Sequence, residues 1–129
     1  TYDRDLTPAR EAIKYYQELI SNYSESEHAD EARKKIAECQ EMLRKKQKYI
    51  ADFYYRTEVF DSARYRYLDI LENFSHQGLR DHAMLRIVKA SKKLKEYEKC
   101  LSYYQKYKNE VSSKKREELK DAAEDCRNN

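Results

Sequence analysis

The chain has 129 residues with one Gly, one Pro and a net charge of +3. An all-β domain needs many tight turns, and tight turns need Gly, Asn or Pro, so this composition excludes it and favours long helices with short joins. Charged residues make up 40%, but apolar residues also make up 40%, with thirteen Tyr and three Phe; that is enough apolar surface to cover one face of several helices and argues against a disordered chain.

Six helices follow from 3.6-residue periodicity. The first is predicted over about residues 8–23, with Thr7 as N-cap, Pro8 at the first helical position and the face Ala9, Ala12, Tyr16, Leu19, Tyr23. Ser24 and Glu27 then resemble a capping box for the second helix. That helix runs from about Glu27 to Arg56 on the stripe Ala29, Ala32, Ile36, Cys39, Leu43, Ile50, Phe53, Tyr54, Thr57. Its only interruption is polar, at Lys46 and Gln47, and a bend near Lys45–Lys48 is left open because no Gly or Pro marks it. Asp30/Lys34, Glu31/Lys35 and Glu41/Lys45 have the spacing of supporting ion pairs.

The third helix, 60–74, carries Phe60, Ala63, Tyr67, Ile70 and Phe74; the fourth, about 77–94, carries Leu79, Ala83, Ile87, Ser91 and Leu94. The fifth, about 97–109, carries Tyr97, Cys100, Tyr104 and Tyr107. The sixth, about 113–127, is sparse, with Leu119, Ala122, Ala123 and Cys126, which suits the end of a stack where one flank meets water.

Residues 50–75 carry the tetratricopeptide pattern: small Ala51 and Ala63 let two antiparallel helices approach, and Tyr54, Tyr67 and Ile70 fill the space between hairpins. The register recurs at Ala12, Tyr16, Leu19 and at Cys100, Tyr104, Tyr107, offset from Ala63, Tyr67, Ile70 by 51 and 37 residues against about 34 for the standard unit. The surplus of ~17 residues in the longer offset, ~25 Å of helix, comes from the second helix. The expected fold is all-α: a tetratricopeptide-type helix-hairpin stack, or α-solenoid, of about six helices with one unusually long second helix. It reads as a single domain over 1–129, divided into a partial repeat 1–26, a repeat with extended first helix 27–75, a repeat 76–111 and a capping helix 112–129. Because the first repeat has no leading helix, the chain is expected to be the C-terminal segment of a longer repeat protein.

Cysteines stand at 39, 100 and 126. None forms a CxxC pair or has a His three or four residues away, so no metal site is expected. They read as small apolar fillers of helix faces, with a Cys39–Cys100 bridge left open. No apolar run approaches the roughly 20 residues of a membrane span. His28, His76 and His82 have no nucleophile or carboxylate constellation around them, and one Gly cannot build a phosphate loop, so no enzyme and no cofactor are expected. Lys and Arg are interleaved with Asp and Glu, and the one basic run, Lys114-Lys115-Arg116, is followed at once by Glu117 and Glu118. No nucleic-acid partner is expected, and RNA binding by stacked Tyr would show steep salt dependence.

Several segments together resemble one family: Asp3-Arg4-Asp5, then Ala9, Ala12, Leu19, Tyr23 and Ser26, then Ala29-Asp30-x-Ala32, then Ile50-Ala51-x-Phe53-Tyr54-Tyr55, then Ala63-x-x-Arg66. They resemble the BamD family, tetratricopeptide lipoproteins of the bacterial outer-membrane β-barrel assembly machinery, in its C-terminal part. The chain departs from the family in having Ser24 and Ser75 where Pro is usual, and the segment from Ser113 onward does not align. The resemblance implies a scaffold at the periplasmic face of the outer membrane, held there by an N-terminal lipid anchor outside this chain. It implies docking on the fifth POTRA domain of the barrel subunit BamA, and possible contact with other lipoproteins of the machine. By register it makes Arg66 the residue that pairs with an acid on that partner. Arg64 and Arg66 are expected to point partly outward beside Tyr65, and with Tyr55 they form the candidate partner-binding set. Their bland alternative is pairing with Asp61 or Asp69 on the same helix. A generic tetratricopeptide adaptor that grips a peptide is the alternative function; Lys89, Lys92 and Lys93 gather as such a groove requires, but Asp52 on the matching face opposes it.

Overall fold

The computed structural model describes residues 7–22, 24–25 and 27–127, with side chains from residue 11 onward. The Asp3-Arg4-Asp5 motif, Tyr23 and Ser26 lie outside the described residues, as do the side chains of Thr7, Pro8 and Ala9. Among the described residues there are six α-helices and no strand: α1 (Thr7–Asn22), α2 (Glu27–Arg56), α3 (Phe60–Asn73), α4 (Gln77–Lys93), α5 (Tyr97–Tyr107) and α6 (Arg116–Arg127), the last preceded by a 3₁₀ turn at Ser113–Lys115. The all-α helical stack and the long second helix are as expected. Helix α2 runs as a single 30-residue α-helix through Lys45–Lys48.

The chain divides into two compact units, residues 1–47 and 48–129, with the division inside α2. In the first, the α2 stripe buries Ala29, Ala32 and Leu43. Gln47, part of the expected polar gap, is buried as well. The Glu41–Lys45 pair forms at 3.1 Å, whereas Asp30 pairs with Arg33 at 2.9 Å and Lys35 with Glu38 at 3.7 Å, one residue short of the predicted spacing. The i,i+3 and i,i+4 neighbours are equivalent on a helix surface, so either serves.

The second unit is built on hairpins. Ala51 and Ala63 are fully buried, and Tyr67 and Ile70 fill the core beside them with half-buried Tyr54. Helix α4 packs against α3, α5 and α6. It therefore buries far more than one stripe: Met84, Leu85, Val88 and Ala90 join Leu79, Ala83, Ile87 and Ser91. The predicted face of α6 is buried in full.

Two corners of this unit, α2–α3 and α4–α5, close in the same way. At the end of α2, Val59 N–H donates to Tyr54 O at 2.9 Å and Glu58 N–H to Tyr55 O at 3.1 Å; at the end of α4, Glu96 N–H donates to Ser91 O at 3.0 Å and Lys95 N–H to Lys92 O at 2.8 Å. These are Schellman closures, which put one residue in the left-handed region. Here that residue is Glu58 (φ 65°) and Lys95 (φ 61°), side chains that pay a steric cost glycine would not.

The cysteines differ from expectation. Cys100 on α5 is bonded to Cys126 on α6, and Cys39 is free. Two helices packed side by side bring these residues together from 26 positions apart, a proximity that sequence spacing does not reveal.

Candidate functional site

The outward side of α3 is the part of the second unit that combines aromatic and charged groups. Residues 62, 65, 66 and 69 recur at helical spacing away from the buried line of Ala63, Tyr67 and Ile70. Tyr65 is the most exposed of the large hydrophobic side chains described, at 69%. Arg66 is half-buried, its guanidinium 6.0 Å from the centre of the Tyr54 ring. A shallow depression joins Tyr54, Asp61, Ser62, Tyr65 and Arg66. It has an aromatic platform, a cation and a carboxylate in one place, the groups that anchor protein interfaces.

The other two residues of the candidate set face inward. Arg64 is only 13% exposed. Its Nη1 donates to Ser91 Oγ at 3.0 Å, and its Nη2 donates to the Glu96 carboxylate at 3.0 and 3.3 Å. The expectation that Arg64 points outward is thus corrected: a partner on α4 and another at the α4–α5 corner draw it in. Neither Asp61 nor Asp69 takes it. Lys99 and then Arg64 hold the Glu96 carboxyl below the usual carboxylate range. Tyr55 packs edge-on against Phe60 and Tyr67 and carries the Arg86 guanidinium 4.0 Å from its ring centre. Burial raises its hydroxyl pKa, with Arg86 acting against that rise. Arg64 and Tyr55 therefore fix how α3 and α2 sit on α4 and so stiffen the surface that carries Tyr65 and Arg66.

A polar cluster that the sequence did not disclose lies behind this surface. Asp52 accepts from the Tyr67 hydroxyl, from His82 Nε2 at 2.7 Å and from Lys48 Nζ at 2.9 Å, joining α2, α3 and α4. Burial pushes the Asp52 carboxyl pKa up, but the His82, Tyr67 and Lys48 hydrogen bonds outweigh it and hold the pKa well below the usual range. Burial, reinforced by Asp52, pushes the Tyr67 hydroxyl pKa up. Such a network is a triangular brace: both Asp52 oxygens accept from the protein's own donors on three helices. Sequence reading placed Asp52 on a groove face because its three partners lie 4, 15 and 30 residues away.

A second brace joins α4 to the segment before α6. Asp81 accepts from Gln77 Nε2 at 2.7 Å, from Ser112 N–H at 3.0 Å and from the Ser112 hydroxyl. Arg80 closes the end of α3 by donating to Leu71 O at 2.7 Å and Phe74 O at 3.0 Å. Among the described residues no group of three or more His, Cys, Asp and Glu is placed to hold a metal, and no helix is long and apolar enough to cross a membrane.

Compared with known proteins, the chain matches the family profile YfiO, described as outer membrane lipoprotein, over residues 1–106. No curated protein matches it.

Proposed function

The chain belongs to the YfiO family of outer membrane lipoproteins, and from that premise we propose that it is a non-enzymatic scaffold for assembly of outer-membrane β-barrel proteins. It docks on the POTRA region of a BamA-like barrel subunit through the α2–α3 hairpin. The observation that carries this reading is a depression shared by exposed Tyr65 and by Arg66, which lies over the Tyr54 ring, on a helix braced from behind. Rigid aromatic and Arg groups lose little entropy on binding and dominate interface energies. Arg66 and Tyr65 make the contact; Arg64 and Tyr55 hold the platform in shape.

The same reading places the protein at the periplasmic face of the outer membrane. The Cys100–Cys126 disulfide supports that compartment, because disulfides persist where the surroundings are oxidising.

The test is titration of the fifth POTRA domain against the wild-type chain and against Arg66→Ala and Arg66→Glu. Alanine is expected to weaken binding by about tenfold or more and glutamate further, with far-UV circular dichroism unchanged. Undiminished affinity of both variants removes Arg66 from the interface.

A further inference from the structure

On the far side of Tyr65 from the Arg66 depression, α3 and α5 enclose an open groove of about 520 Å³, within the size range of sites that take up several side chains. Its apolar surface comes mainly from Leu68, Leu71 and exposed Tyr65, and the almost wholly buried Tyr107 also borders it. Its rim is acidic: Asp69 and Glu72 from α3, Glu110 from just beyond α5. Among the described residues, Glu72 and Glu110 are in no ion pair. Two cations border the groove. Arg80 is tied to the Leu71 and Phe74 carbonyls, where it offsets the negative end of α3. Lys106 lies over the Tyr107 ring at 5.8 Å.

From this arrangement we propose that the α3–α5 groove is a second docking site, one that takes a basic amphipathic segment of another protein. The segment seats apolar side chains on Leu68, Leu71 and Tyr65 and points Lys or Arg at Glu72 and Glu110. Charge complementarity selects this occupant: three carboxylates outnumber two cations, of which Arg80 is held on the carbonyls at the end of α3, so the groove favours cations over phosphate and acidic peptides. The site adjoins the docking surface proposed above and shares Tyr65 with it, but neither reading rests on the other.

The test uses the full 129-residue chain, ¹⁵N-labelled. It is titrated with a synthetic peptide of about twelve residues carrying Leu on one helical face and Lys on the other, and with a twin in which Glu replaces Lys. The Lys peptide is expected to shift the amides of Leu68, Glu72, Lys106 and Glu110 saturably, and to bind about tenfold or more tighter than its twin. The double variant Glu72→Lys/Glu110→Lys, with unchanged circular dichroism, is expected to reverse that preference. Equal binding of the two peptides, shifts confined to other helices, or no saturable binding overturns the proposal. So does sedimentation showing a dimer that Leu68→Arg dissolves, since a second copy of the chain then covers the groove.

Discussion

Arg64 and Glu96, 32 residues apart, form a charge-assisted contact that ties α3 to the corner between α4 and α5. With Ser91 as the third member, it fixes the spacing of α3 over α4. The consequence is a division of labour between neighbouring arginines. Arg64→Ala is expected to lower the melting temperature by several degrees, since it leaves the Ser91 hydroxyl oxygen without this donor and Glu96 with Lys99 alone. Arg66→Ala should change stability by no more than about 0.5 kcal/mol. Thermal unfolding of the two variants side by side checks this.

Acid should weaken the second unit through Asp52. Its carboxyl pKa is depressed in the folded protein by His82, Tyr67 and Lys48, against about 3.9 when unfolded. The stability it contributes is therefore present above about pH 4 and is lost as the pH falls below that toward the folded value. Asp52→Asn should flatten this acid limb, and at neutral pH should cost about 1–3 kcal/mol through weakened bonds to Tyr67 and His82. Urea midpoints measured from pH 2 to 7 give both numbers.

Reduction should loosen α6. A bond spanning 26 residues restricts the unfolded chain by about 3–4 kcal/mol in the loop-entropy account. Cys100→Ser/Cys126→Ser, or treatment with dithiothreitol, should lower stability by up to that amount. Amide exchange should accelerate first around Leu119, Ala122 and Ala123, which rest on α4 and α5. An unchanged exchange rate there speaks against the bond as the clamp.

The two corners offer a gain instead of a loss. Glu58→Gly and Lys95→Gly relieve left-handed backbone at φ 65° and 61°, and each is expected to add about 0.5–1 kcal/mol after glycine's larger unfolded-state entropy is subtracted. Denaturant midpoints decide it, with the double variant near the sum because the corners share no partner.

The helices and most of their buried lines are legible in the sequence because small and aromatic residues recur at the period of the helix: Ala51, Ala63, Tyr67, Cys100 and Tyr107 sit where the pattern puts them, whereas Phe53 and Thr57, expected on the α2 stripe, are exposed. What periodicity cannot carry is which helix lies beside which. Cys100 meets Cys126 and not Cys39 for that reason, and Asp52 serves His82 and Tyr67 for the same one. Arg64 is the instructive case at the candidate site. Its register sets it one position from the core line, and only the location of Ser91 and Glu96 decides that it turns inward. The Schellman corners escaped notice because Glu58 and Lys95 stand where a glycine would have been the signal.

Helix α4 meets α2, α3, α5 and α6 and buries most of its length. A substitution along its middle disturbs a neighbour, whereas the outer sides of α3 and α5 touch little that holds the unit together. Binding preference can accordingly be rewritten on those two rods, by evolution or by design, while the central rod they lean on stays as it is.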